Sequence, residues 1–155
     1  MIDHVANANK TVAVYKKTDP GLATFFEKAA GYAVFPGIGK GGAGLGGAYG
    51  TGILFEKGKA TGKTTLTQVT VGLQLGGQTY SEIIFFETEE SLAEFKGSNF
   101  AFSAQASAIA LKSGVSVNAK YKDGVAVFTA TKGGLMYEAS VGGQKFTFVP
   151  FAAKS

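Results

Sequence analysis

The chain has 155 residues, 45% of them hydrophobic, and a formal charge of +4. That length suits one compact domain with its own core, and the absence of cysteine excludes disulfides, thiolate nucleophiles and cysteine-ligated zinc. All fifteen cations are lysine; without arginine's bidentate fork, sequence-specific reading of nucleic acid is disfavoured, whereas lysine point charges suit a diffuse anionic surface such as lipid headgroups.

From Asp3 to about Lys16, Val5, Ala8, Val12 and Tyr15 recur at helical spacing, with Lys10 and Lys17 on another face. The spacing predicts a short, weakly amphipathic helix within residues 1–18, either a basic membrane-facing helix or an ordinary surface helix docked on the domain. The opening MIDHVANANK lacks the apolar centre of a signal peptide, and no run of apolar residues is long enough to span a bilayer. The chain is therefore expected in the cytoplasm, or in the periplasm or cell envelope if an export signal has been removed.

Asp19-Pro20 reads as a helix start, with Leu22, Phe25, Phe26 and Ala29 as its buried stripe and Gly31 as its stop. Tyr32 to Phe35 begins a sheet that Pro36-Gly37 bends. Ala43 to Tyr49 and Ile53 to Glu56 read as a strand or strand pair interrupted by glycines, and Lys57 to Lys63 as a polar, exposed hairpin loop. Val69 to Gly76 alternates apolar with polar residues or glycine, the period of a half-buried strand. Tyr80 to Phe86 (YSEIIFF) is expected as a central strand.

Thr88 is placed to cap a helix through Leu92 and Phe95 that ends at Gly97, with Glu89 and Glu90 in its first turn. Phe100 to Ala110 alternates and reads as a strand. Lys122-Asp123-Gly124 signals a turn, and Val125 to Thr131 and Leu135 to Val149 are expected to complete the sheet around a turn at Lys132-Gly133-Gly134. Paired glycines inside strand-like stretches point to close backbone approach or sharp bending. The fold class that follows is α+β: residues 19–150 form an antiparallel sheet, strongly curved or closed like a barrel, with short flanking helices.

Two glycine patterns fail as nucleotide sites. Gly42, Gly44 and Gly47 match G-x-G-x-x-G, as do Gly37, Gly39 and Gly42, but the following residues read as strand and the stretch around Thr64 to Thr70 holds no acid. Gly58 to Thr64 mimics a P-loop with one residue too few between its glycines. His4 is the sole histidine, so a Ser-His-Asp triad or a multi-histidine metal site has little to build on. Glu87, Glu89, Glu90 and Glu94 read as a solvated helix face, while Glu82, inside YSEIIFF, is expected to pair with a lysine or to lie exposed on the polar face of an edge.

Three stretches, AAGYAVFPGIGKGGAGLGGAYGTG, VGLQLGGQTYSEIIFFETEESLAEFKGSNFAFSAQASAIA and DGVAVFTATKGGLMYEASVGGQKFTFVP, together resemble the SYLF domain family over about Leu22 to Pro150. The resemblance implies a single SYLF-like domain. Eukaryotic members are lipid-binding modules that associate with phosphoinositide membranes and, in fungi, with actin at endocytic sites; bacterial members are often exported envelope proteins or lipoproteins. A lone domain of this kind is nearer the bacterial group.

The expected function is therefore a non-enzymatic, cofactor-free module that binds anionic phospholipid membranes. The alternative is a protein-interaction or structural module of the cell envelope. From charge and placement, the candidate headgroup contacts are Lys10, Lys17, Lys40, Lys57, Lys59 and Lys63.

Overall fold

The computed structural model describes residues 3–40, 47–68, 79–103, 105–131 and 141–152. The expected strand at Val69 to Gly76, the turn at Lys132-Gly133-Gly134, and most of the G-x-G-x-x-G stretch lie outside them.

Helix α1 spans His4–Thr18, and the Asp3 carboxylate caps it by accepting from the Ala6 amide at 2.9 Å. Its buried stripe is Ala8, Val12 and Tyr15, as the spacing requires. Asp19 starts a single 3-10 turn at Pro20–Leu22 that runs into α2, Ala23–Lys28. This helix stops at Ala29, and Gly31 is instead the first residue of a strand. A Cβ on Gly31 would lie 2.9 Å from both the Phe55 carbonyl oxygen and a Leu92 methyl, so close packing selects this glycine, not a helix cap.

Seven strands follow among the described residues: β1 Gly31–Lys40, β2 Ala48–Glu56, β3 Lys59–Gln68, β4 Tyr80–Phe86, β5 Ile109–Ala110, β6 Val125–Thr131 and β7 Gln144–Pro150. Helix α3, Glu89–Lys96, sits between β4 and β5, with Thr88 and Ser91 forming a reciprocal cap. The sheet order is β5-β6-β4-β1-β2-β3-β7. Its neighbours are antiparallel except for the short parallel pair β5–β6, so the sheet is mixed. The register of β1 shifts between Val34 and Ile38 against both neighbours, where Pro36-Gly37 was expected to bend it.

Three expectations need correction. The loop expected at Lys57 to Lys63 contracts to Lys57-Gly58, both at positive φ, the geometry of a two-residue hairpin turn, so Lys59 and Lys63 belong to β3. The glycines of β2 do not interrupt it: a Cβ on Gly52 would lie 2.4 Å from the Val34 carbonyl oxygen, and this close approach lets one continuous strand run alongside β1. Phe100 to Ala110 is not a strand along its length. It bridges to Lys145 at Ala101 and becomes strand at Ile109–Ala110 alone.

The sheet curls strongly. Phe35 of β1 and Phe146 of β7 stand three strand spacings apart, about 14 Å in a flat sheet, yet their ring centroids are 5.8 Å apart. Phe102 donates to the Gln144 carbonyl at 3.1 Å on the β7 side, and a few residues later the same segment forms β5 on β6. One connection thus crosses the mouth between the two sheet edges, but among the described residues no continuous ladder joins them. The sheet is not closed, so the expected barrel is not found.

Two buried clusters result, one per face. Inside the curl lie Phe35, Leu54, Leu66, Ile84, Phe86 and Phe146, covered by Leu92 and Phe95 of α3. On the outer face Val34, Ile53, Phe85 and Phe128 pack beneath Val12 and Tyr15 of α1 and Phe26 of α2.

Candidate functional site

Among the lysines expected to act, Lys10 and Lys17 are exposed on α1 and Lys40 is the last residue of β1. Lys57 occupies the hairpin turn, and Lys59 and Lys63 are exposed on β3. They are spread over α1, the end of β1 and the β2–β3 hairpin. Helix α1 packs over β1 and β2, and the outer faces of β3 and β7 beyond it are exposed or half-buried. On these two strands the register sets Lys63 opposite Val149, Thr65 opposite Thr147 and Thr67 opposite Lys145. The Thr65 and Thr147 hydroxyls hydrogen-bond to each other.

Beyond that row Phe151 donates its amide to the Thr61 carbonyl at 3.0 Å and keeps its ring 46% exposed, while Val149 is 64% exposed. The one ion pair among the described residues joins Lys96 to Glu56 at 3.2 Å. Lys63 and Lys145 therefore present ammonium groups on the same surface as two uncovered apolar side chains, separated by hydroxyls. Chemically, this face can meet an anionic interface with charge and insert shallow apolar groups into it.

Lys145, Val149 and Phe151 are absent from the expected set. Their signal is a period of two: Lys145, Thr147, Val149 and Phe151 alternate with Gln144, Phe146 and Phe148, which face inward.

Glu82 departs from both expectations, since it is neither exposed nor paired with a lysine. It is fully buried inside the curl, where the Gln144 Nε2 donates to its Oε1 at 2.9 Å. The same Nε2 lies 3.4 Å from Gln68 Oε1 and 3.4 Å from the Tyr80 hydroxyl. Among the described residues, Glu82 Oε2, Gln144 Oε1 and Thr129 Oγ1 have no hydrogen-bond partner.

Burial pushes the Glu82 carboxyl up to about 8, against the smaller downward pull of the Gln144 hydrogen bond. Burial, and then the Glu82 charge, push the Tyr80 phenol above its usual range. Burial thus favours the protonated, uncharged form of Glu82. Among the described residues no second carboxylate hydrogen-bonds to it. Among the described residues no three of His, Cys, Asp or Glu converge as a metal site would need, and no helix is long and apolar enough to cross a membrane.

Comparison with known proteins adds two findings. Residues 67–149, more than half of the chain, match the family model Ysc84, described as Las17-binding protein actin regulator. A curated relative, Beta cell expansion factor A from Aeromonas veronii, is 29% identical over 130 residues, covering 82% of this chain and 49% of the relative. The chain thus spans about half the length of the curated relative it matches.

Proposed function

Because this chain belongs to the Ysc84, or SYLF, family, a family of binding domains, we propose that it is a non-enzymatic module that docks on anionic phospholipid membranes. The observation that carries this reading is the outer β3–β7 face, where the exposed Lys63 and Lys145 share one surface with the uncovered Val149 and Phe151. Lys57 and Lys59 extend the charge along the hairpin that leads into β3. Lys10 and Lys17 lie on α1, which covers the neighbouring strands of the same sheet face. Each lysine near such a surface contributes about 1 kcal/mol at modest ionic strength. In a bacterial cell the matching location is the envelope, on the periplasmic side.

Co-sedimentation with phosphatidylcholine vesicles, with and without phosphatidylglycerol, tests the reading. The wild type is expected to bind the anionic vesicles at low salt, and Lys63→Gln with Lys145→Gln to weaken binding by about 30-fold. Equal binding to neutral vesicles, or an unchanged double variant, would sink it. The family description names a protein partner, which supports a second reading: a protein-interaction module. A partner held at high salt and without lipid would favour that one.

A further inference from the structure

A groove of about 540 Å³ opens between α1 and the sheet at the end where β4 begins and β6 ends. Its origin lies in side-chain size. On the outer face, β4 steps from Phe85 and Ile83 down to Ser81, and β6 from Phe128 down to Ala130; Ser81 and Ala130 are register partners. The large residues fill the space under the rest of the helical layer, and the small pair leaves it open. The β1 bulge sets Pro36-Gly37 along one wall, and a Cβ on Gly37 would meet nothing within 4 Å. A second hollow of about 290 Å³ shares Asn7, Pro36 and Gly37 and continues past His4 toward Tyr49.

The lining has two chemistries. Val14, Tyr15, Pro36 and Ala130 give apolar walls, and Val14 is 56% exposed at the rim. Among the described residues that line the larger groove Lys10 is the one charged residue, and none is a carboxylate. Ser81 Oγ, 3.0 Å from the Tyr15 hydroxyl, sits in the floor, with Thr11 and Thr131 nearby. The Tyr15 phenol in the same lining is uncharged, and burial pushes its pKa further up. A volume of this order is that of a small-molecule site, where apolar walls hold the body of a ligand and a few polar groups fix its orientation.

We infer that the groove under α1 binds a single amphiphilic anion, with its carboxylate or phosphate on Lys10 and its apolar body along Val14, Tyr15, Pro36 and Ala130. The site is separate from the outer β3–β7 face and takes a dissolved molecule, not a bilayer surface.

Calorimetric titration with sodium decanoate and with decyl phosphate, both below their micelle concentrations, tests this. Amide shifts on the intact chain locate the binding. The expected result is saturable one-to-one binding with shifts at Ser81, Ala130 and Thr131, and affinity for decanol lower by about tenfold or more. Lys10→Gln should weaken decanoate by a similar factor. Ala130→Phe should abolish decanoate binding yet leave anionic-vesicle binding intact. Gly37→Phe, which starts from open space, serves if Ala130→Phe does not fold.

Absence of saturation, shifts confined elsewhere, decanol binding as well as decanoate, or undiminished binding after the groove is filled would each overturn the inference. So would binding that begins only once micelles or vesicles form, since that would assign the groove to a lipid surface.

Discussion

The carboxyl of Glu82 on β4 accepts from the carboxamide of Gln144 on β7 at 2.9 Å, across four strand spacings of the sheet. This contact stitches the curl together through its interior, and its strength depends on the proton state of the acid. Burial raises the folded value to about 8 from an ordinary 4.5, so between those limits the native chain holds a proton that the unfolded chain has lost. Unfolding then releases a proton, and stability falls as pH rises, by about 1.4 kcal/mol for each pH unit. The loss is complete above the folded value and absent below the unfolded one. Thermal melts followed by circular dichroism should show the midpoint dropping from pH 5 to pH 8. Glu82→Gln should flatten that slope and be the more stable form at pH 8; parallel profiles for the two proteins would refute the assignment.

Gly52 and Gly37 should respond in opposite ways to the same added methyl group. On Gly52 the new carbon would meet the Val34 carbonyl at 2.4 Å and the Phe35 ring at 2.7 Å, whereas on Gly37 it would meet nothing within 4 Å. Gly52→Ala is expected to cost about 1–3 kcal/mol or more through forced separation of β1 and β2. Gly37→Ala is expected to stay within about 0.5 kcal/mol of the wild type. Urea denaturation of the two variants compares them directly, and equal midpoints would contradict the packing account.

Asp19 ties the N-terminal helices to a distant segment. Its carboxylate accepts from the Ser116 amide at 2.7 Å and from the Gly21 amide at 3.1 Å. Burial alone would raise its pKa, but these hydrogen bonds outweigh burial and hold it below the usual aspartate range. The stabilisation is therefore full above the ordinary value and is lost as pH falls through the lowered folded one. Asp19→Ala is expected to cost about 1–3 kcal/mol at pH 6, with the gap from wild type narrowing in acid. Urea midpoints at pH 6 and pH 3 measure this; a gap that widens in acid would reverse the assigned sign.

Local patterns were legible wherever one face of an element meets one core. Ala8, Val12 and Tyr15 marked α1, Thr88 and Gly97 bounded α3, and Tyr80 to Phe86 read as a central strand because both of its faces are buried. Phe100 to Ala110 misled because its alternation is real: Phe102 and Ala108 are buried while Ser103 and Ser107 are exposed. That pattern comes from spanning the mouth of the curl, where one side faces the core and the backbone pairs mainly near its ends.

The family relationship was carried by the order of three glycine-rich stretches, and the match over residues 67–149 bears it out. The candidate sites were less visible. Lys63 was named from its charge, but Lys145, on the same outer face, lies on a strand more than eighty residues away that only the fold brings alongside β3. Glu82 was misjudged for a similar reason: its partner lies 62 positions later, and nothing near it in the chain marks the site as dry.

Phe146, on β7, touches the rings of Phe35, Phe95, Phe100 and Phe102. The aromatic centre is thus finished by β7, the last of the described strands in chain order. Until that strand emerges, the earlier strands expose an apolar trough with an unpaired margin along β3. Assembly of this core must therefore await synthesis of β7, with the slow kinetics of long-range pairing and a growing chain that needs shielding from its neighbours.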